Sequence, residues 1–398
     1  MTPPRHAIVA GAGIGGLTAA LTMAQAGLRV TLLEQSPTIE EAGAGLQLSP
    51  NASGILARFG ILERLVGLAL APERLRVRSN RSGADITRMP LGPVSELRWG
   101  APTVVVHRAD LQRALVDAAL ATDRIELRTG MSVAGFVNTP RGVSVAVKTG
   151  AETLSLDADV LIGADGLHSR IRQSLGLGLT DNPHYSGRTA WRALVDGRDA
   201  PDFALRLETS LWLGSRAHLV HYPLRQGALV NVVAITDDPW RGSDANFWSQ
   251  TGDSLQVKRR FSGWHRDARE LLASVREWRR WPLFDRDPVS RWTIGRAALL
   301  GDAAHPMLPF FAQGAAQAIE DAAALGAAFS ADEDVVSALT LYEKSRVDRA
   351  ARVQLASRRQ GTLYHLPGPA ALIRDLGMRS LNTENMMSRF DWLYRYSA

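Results

Sequence analysis

Gly11, Gly13 and Gly16 stand in the run Gly11-Ala12-Gly13-Ile14-Gly15-Gly16, between a short apolar stretch at 6–10 and an alanine-rich one that runs to about residue 26. A pyrophosphate needs that spacing. The first glycine makes the tight turn, the second lets the backbone approach the phosphates, and the third lets the helix lie close to the strand. The phosphates then meet the N–H groups at the start of the helix. Glu34 closes the next apolar run, 28–33, about twenty residues on, where an acid bonds a ribose hydroxyl. The pattern implies a dinucleotide site but does not separate FAD from NAD; the plainer reading is a glycine-rich turn.

Two more segments put an aspartate at the carboxyl end of a short apolar run, the place where α/β folds bind ligands. One is Gly163-Ala164-Asp165-Gly166-Leu167-His168-Ser169-Arg170, after 160–162. The other is Gly301-Asp302-Ala303-Ala304-His305-Pro306, after 297–300 and ahead of a small-residue helix at 314–328. Each alone could be an ordinary aspartate turn; all three together rarely arise by chance. On the run 217–222, side chains of a regular strand alternate. His218, Val220 and Tyr222 then share one face, and Leu219 and His221 the other, so the two histidines cannot both line one pocket. There is no H-E-x-x-H motif, no cysteine pair and no G-x-S-x-G elbow, so no metal site is expected.

These residues need elements to hold them. Strand 6–10, a helix stopped by Gly27 and strand 28–33 make a βαβ unit. Segment 72–102 reads as broken strands and turns, 104–106 as a strand and 109–121 as a helix. Runs 125–127, 132–137 and 143–147 read as a β-meander. From 186 to 237 the pattern turns strand-rich, with candidates at 191–195, 204–207, 211–213, 217–222 and 229–235. Helical material is expected near 257–278, and helices over most of 313–359.

At 398 residues the chain is too long for one average domain. With 45% hydrophobic and 22% charged residues it builds a core, which excludes disorder. It has no cysteine, so disulfides, thiolate metal sites and cysteine nucleophiles are excluded, and a cytoplasmic setting is the expectation. The net charge of +6 comes almost wholly from scattered arginines; nucleic acid is not expected as a partner, and the mild positive field suits small anions. The uncharged stretch 7–28 superficially resembles a signal peptide, but its glycines are spaced as a nucleotide turn. No membrane span is expected.

The three fingerprints together resemble those of the class A flavoprotein aromatic hydroxylases. The resemblance extends over nearly the whole chain, through Gly43-Ala44-Gly45-Leu46-Gln47-Leu48-Ser49-Pro50-Asn51, His107-Arg108-Ala109-Asp110-Leu111, Tyr222-Pro223-Leu224-Arg225 and Asp391-Trp392-Leu393. The branch it looks most like holds salicylate hydroxylases and 3-hydroxybenzoate 6-hydroxylases, with 6-hydroxynicotinate monooxygenase nearby. Met307-Leu308-Pro309 looks more like the salicylate enzymes, which leaves the position of hydroxylation open.

The resemblance implies an α/β fold: a Rossmann-like FAD-binding domain (1–71, 103–183 and 285–360), an inserted β-sheet substrate domain (72–102 and 184–284) and a C-terminal segment with helices (361–398). It implies FAD as cofactor, NADH or NADPH and O2 as cosubstrates, and a small phenolic carboxylate hydroxylated through a flavin C4a-hydroperoxide. A hydroxynicotinate, a larger aromatic, a non-hydroxylating flavin dehydrogenase and an FAD redox sensor stay as alternatives, and a homodimer stays open. Carried over, Gly11, Gly13, Gly16 and Glu34 would hold the ADP half. Arg108 and Gln112 would contact the phosphate–ribose region, Asp165 would sit near the pyrophosphate or the nicotinamide path, and Asp302 would bind the ribityl chain. Gly314, Ala315 and Ala316 would face the flavin pyrimidine; their plainer role is tight helix packing, and that of Arg108 a surface ion pair. His218 falls on the family's active-site histidine, with Tyr222 a pocket candidate, His305 a weaker one, and His221 expected to be structural.

Overall fold

The computed structural model describes residues 5–39, 44–176, 182–239 and 250–396; Gly43 lies outside them. The chain opens with β1 (His6–Ala10), α1 (Ile14–Gln25) and β2 (Arg29–Leu33), then β3 (Gly45–Leu48), α2 (Pro50–Ala57) and α3 (Ile61–Arg64). β4 (Arg74–Ser79), β5 (Asp85–Pro90) and α4 (Gly92–Trp99) form a first excursion, closed by β6 (Val104–His107) and α5 (Arg108–Leu120). β7 (Ile125–Arg128), β8 (Met131–Asn138), β9 (Val143–Thr149), β10 (Glu152–Ala158), β11 (Val160–Gly163) and α6 (Arg170–Ser174) follow. The second excursion runs through β12 (His184–Asp196), β13 (Thr209–Gly214), β14 (Ala217–Leu224), β15 (Leu229–Asp237), β16 (Gln250–Gly252), α7 (Ser254–Arg260), α8 (Arg266–Ala273) and β17 (Trp278–Asp285). β18 (Thr293–Ile294) and β19 (Ala297–Leu299) lead into α9 (Gly314–Ala331), α10 (Val335–Tyr364), α11 (Gly368–Arg379), α12 (Thr383–Ser388) and α13 (Asp391–Tyr394).

A six-stranded sheet in the order β18-β19-β11-β1-β2-β7 is parallel except at its β18 edge. Parallel strands covered on both faces read as apolar runs, and Ala7, Ile8 and Val9 of β1 are fully buried. The three loops that carry Gly11, Asp165 and Asp302 leave neighbouring strands β1, β11 and β19, so register alone brings them together. Small residues then bring α1 and α9 close. The Thr22 hydroxyl donates to the Ala322 carbonyl at 2.7 Å, and a Cβ on Gly326 would meet Thr22 Cβ at 2.7 Å.

Both excursions build one eight-stranded sheet, β16-β17-β12-β15-β14-β13-β4-β5. One face buries Trp191, Trp212, Trp278, Phe261 and Leu271 against α7 and α8. The other turns toward the parallel sheet. α12 and α13 pack on β5 through Met386, Met387 and Phe390 around Trp99.

Three expectations are corrected, and one strand is added. The meander is β8-β9-β10; the run at 125–127 instead pairs parallel with β2. β10 escaped notice because most of its side chains are exposed and it shows no apolar alternation. Residues 204–207 are not a strand: Asp202–Leu205 is a 3-10 turn that buries only Ala204. The helical stretch from 257 ends at Ala273, and Trp278 opens β17, whose Trp-Arg-Arg-Trp start hid its pairing with β12.

Candidate active site

Two hollows meet at the glycine turn and form one groove. The outer one, about 620 Å³, is lined by Gly11, Gly13, Glu34, Lys148 and Asp165 among others. The inner one, about 430 Å³, lies between the two large sheets and is walled by Arg108, Arg192, His218, Tyr222, Asp302 and Tyr364 among others. Gly13, Ala164 and Gly166 line both.

The glycines differ in what they do. A Cβ on Gly11 (φ +103°) would sit 2.4 Å from the Ala164 carbonyl oxygen, and one on Gly16 1.8 Å from that of Gly11. These two allow turn, helix and the Asp165 loop to touch. A Cβ on Gly13 would meet nothing within 4 Å, and one on Gly314 likewise. Both open onto the groove, where the N–H groups that begin α1 and α9 have no intrahelical acceptor. Glu34 is held in place: its Oε2 accepts from Ala12 N–H at 2.9 Å and its Oε1 from Ser36 N–H at 2.8 Å. Each oxygen keeps further lone pairs for a hydroxyl. A backbone cradle open at Gly13 with a fixed acid beyond it fits a dinucleotide.

Asp165 Oδ2 accepts from the Arg170 and Ile171 N–H groups at 2.8 and 3.2 Å. Burial raises its pKa, against hydrogen bonds from Ser169, Ile171 and Arg170. Asp302 is an exposed side chain on the wall of the inner hollow, and the protein packed around it pushes its carboxyl up, against His305 and Arg108. The same burial lowers Arg108, with Asp302 opposing. The Asp302 loop is pinned from behind: Asp321 Oδ2 accepts from Gly301 N–H at 2.9 Å and faces His305 Nε2 at 2.6 Å, while its Oδ1 accepts from Arg346 Nε at 2.7 Å. His305 therefore stands off the groove wall and lines neither hollow.

Gly314 and Ala315 line the inner hollow, and fully buried Ala316 sits behind them. Gln112 is also behind the wall, its amide donating to the Ala12 carbonyl at 3.2 Å. Gly16 packs against Gly11 rather than facing the groove.

On β14 the alternation holds. His218, Val220 and Tyr222 face the inner hollow, with Leu211 of β13 and Val233 and Ile235 of β15 beside them. His218 Nδ1 lies 2.8 Å from His365 Nε2, and its ring packs against Phe310 and Tyr364 at 5.6 and 5.3 Å. Burial, then His365 and Arg188, hold His218 well below its ordinary value. The Tyr222 hydroxyl is pushed up by burial, which Arg192 opposes. His221 is on the opposite face, edge-on to Phe203 at 5.8 Å. Burial and the Arg78 and Arg76 charges press it down to about 3, and neither ring nitrogen has a partner among the described residues.

Sequence reasoning passed over Arg192, Tyr364, Phe390 and Tyr394, all on the inner wall. Arg192 had a signal, since it is the one charge inside the run Trp191-Arg192-Ala193-Leu194-Val195. Its guanidinium lies 5.3 Å over the Trp281 ring, and its buried Nε has no partner among the described residues. The aromatics come from far along the chain. Asp391 anchors the segment that carries Phe390 and Tyr394, accepting from Arg98 twice and from Trp99 Nε1, each at 2.8 Å.

The chain matches the family described as FAD binding domain over residues 5–357. It is 37% identical to a 3-amino-4-hydroxybenzoate 2-monooxygenase of Streptomyces platensis, with 99% of this chain and 96% of the relative covered. It is 36% identical to a 3-hydroxybenzoate 6-hydroxylase of Polaromonas naphthalenivorans, over 98% of this chain and 96% of the relative. Klebsiella pneumoniae HpxO complexed with FAD and uric acid is similar in structure, with a TM-score of 0.85 at 28% identity over 97% of this chain and 95% of that one. Among the described residues no helix is long and apolar enough to cross a membrane. The chain belongs to the FAD binding domain family and, within it, to the FAD-dependent aromatic monooxygenases, a chemistry that suits a dinucleotide groove ending in a histidine-walled apolar hollow.

Proposed function

We propose that the protein hydroxylates a single-ring phenolic carboxylate, a hydroxybenzoate or a close analogue, with NAD(P)H and dioxygen. The observation that carries this is that His218 and Arg192 both face one small hollow, from the same side of one sheet. At about 430 Å³ the hollow lies toward the small end of ligand pockets, roughly 300–1,000 Å³, and it must hold the flavin ring as well. A large polyketide does not suit it.

The residues divide the work between a discontinuous nucleotide-binding unit and the sheet built by the two excursions. Gly11, Gly13, Gly16 and Glu34 would hold the ADP half of FAD, with Gln112 supporting the turn from behind. Arg108 and Asp165 would flank the phosphates, Asp302 would bind the ribityl hydroxyls, and Gly314 to Ala316 would present N–H groups to the pyrimidine edge. FAD, when bound, supplies acceptance of a hydride from NAD(P)H and activation of dioxygen for transfer to the ring. Arg192 takes the substrate carboxylate, which ends the isolation of a buried cation. Tyr222, kept neutral, donates or accepts a hydrogen bond at the ring substituents.

His218 accepts the phenolic proton as oxygen transfer begins. A phenol has a pKa near 10 and is mostly protonated at neutral pH, whereas its phenolate is far richer in electrons. A histidine held well below 6.5 is neutral under those conditions and has a lone pair to offer. Phe310, Tyr364, Phe390 and Tyr394 keep water off the ring.

The test is NADH consumption with product identification across hydroxybenzoates and hydroxynicotinates. Wild type should form one hydroxylated product per O2. His218→Ala should keep its FAD, lose about 10²- to 10⁴-fold in product formation and release peroxide, while His221→Ala should not. Peroxide alone with every phenol, or an unaffected His218 variant, overturns the reading.

A further inference from the structure

His365 ends α10 directly after Tyr364, and neither it nor Asp237 reaches the inner hollow. Its Nε2 lies 2.8 Å from His218 Nδ1, and its Nδ1 lies 2.5 Å from Asp237 Oδ1. His218 and His365 are 2% and 4% exposed, whereas the Asp237 side chain is 38% exposed. Asp237 stands on the wall of a separate surface hollow, about 960 Å³, with Arg188, Arg216 and Arg260. Three groups thus form an unbroken line from the inner hollow to the surface hollow.

We propose that His218, His365 and Asp237 are a proton relay that carries the substrate's phenolic proton out to the surface hollow and returns one to the product. The proposal rests on the hydroxylase reading above. His365 and Asp237 are positioning residues, acting through His218.

The hydrogen-bond roles follow from the outer end. A carboxylate only accepts, so His365 Nδ1 carries the proton toward Asp237. His365 Nε2 then accepts from His218 Nδ1–H, and the lone pair of His218 Nε2 is left for the substrate. When the phenolic O–H breaks, an Nε2–H forms on His218. The His218 Nδ1 proton passes to His365 Nε2, and the His365 Nδ1 proton passes to Asp237 Oδ1 and on to water. No electrons move between the partners. When the product ring regains its hydroxyl, the same steps run backwards and reset both tautomers.

The surroundings favour passing the proton on over storing it. A lone imidazolium at His218 is opposed by burial, His365 and Arg188. At His365, burial, Arg188 and Arg260 disfavour the cation, and Asp237 favours it. Asp237 stays ionised because the His365 hydrogen bond and charge, with Arg188 at 3.4 Å, outweigh its burial. Asp238 is engaged with Arg280 at 2.7 Å, so it does not compete. Arg216 N–H donates to the His365 carbonyl at 3.1 Å, which fixes the ring's base.

FAD-loaded wild type, His365→Phe, His365→Ala and Asp237→Asn are mixed with 3-hydroxy-4-nitrobenzoate in stopped flow, reading the phenolate band, and then assayed with 3-hydroxybenzoate and salicylate. His365→Phe and Asp237→Asn should slow phenolate appearance and hydroxylation about tenfold or more, with FAD content intact and ligand Kd within about twofold. Imidazole should restore His365→Ala through the surface hollow, and non-basic pyrazole should not. Variants that keep the wild-type phenolate rate, or pyrazole restoring as well as imidazole, overturn the relay alone. A wild type that neither binds nor hydroxylates any of these phenols overturns the hydroxylase reading and the relay with it. Asp237→Asn, changed at the exposed end, keeps the test valid if the buried variants fail to fold.

Discussion

Asp321→Asn removes a buried anion that three elements share. Its carboxylate receives the Gly301 N–H, His305 and Arg346, all within 2.9 Å, and none of its side chain is exposed. Burial alone would raise its pKa; His305 and Arg346 outweigh that and bring it from 3.8 to about 2. At about 1.4 kcal/mol per unit, this is worth roughly 2–3 kcal/mol of folding stability. Because the folded value is depressed, that stability is fully present above pH 3.8 and is lost as pH falls toward 2. The asparagine also leaves buried Arg346 with Glu320, at 2.6 Å, as its one remaining carboxylate among the described residues, and breaking a buried ion pair costs roughly 3–5 kcal/mol. A loss of about 3 kcal/mol is expected. In urea, followed by flavin fluorescence and far-UV dichroism, the midpoint should fall by about 1 M at unchanged slope. The gap between wild type and variant should be flat from pH 8 to 5 and narrow below pH 4. A midpoint change under about 0.3 M, or a gap that widens in acid, refutes the reasoning.

The glycine turn separates folding from binding. Gly13→Val should fold with wild-type dichroism and emerge colourless, since its Cβ meets only open groove and its φ of −71° suits any residue; a yellow Gly13→Val protein would remove the pyrophosphate from this turn. Gly16→Ala should lose about 1–3 kcal/mol or more with or without FAD, because its Cβ lands on the Gly11 carbonyl. Arg192→Met should raise KM for 3-hydroxybenzoate about 10- to 100-fold, with FAD content and the KM of a phenol lacking the carboxylate unchanged. Equal losses on both substrates would mean that Arg192 only packs on Trp281.

The nucleotide half was legible because phosphate chemistry leaves little freedom. A turn, a close approach and a helix start demand glycines at set spacing, and Glu34 falls where β2 ends. The parity of β14 was legible for the same kind of reason, since a strand has only two faces. The partners of β7 and β17 were not. Ile125-Glu126-Leu127-Arg128 alternates like a hairpin strand, and only a parallel neighbour, β2, shows why it lies elsewhere. The inner wall was also hidden. Tyr364, Phe390 and Tyr394 reach it through the length of α10 and the Arg98–Asp391 pair, contacts of long sequence separation that no local pattern announces.

The two histidines of β14 show why a site is more than a residue type. Both are almost wholly buried, at 2% and 1% exposure, and in both burial favours the neutral ring. His221 faces Phe203 and two arginines with no acceptor or donor to work with, so a proton arriving there has no onward path. His218 faces the inner hollow and reaches the Nε2 of His365, and that ring is tied to a carboxylate at the surface. Burial disfavours holding charge at both positions. In the proposed relay, what suits His218 to act as a base is the hydrogen-bonded exit behind it, which comes from β15 and the end of α10 rather than from β14 itself.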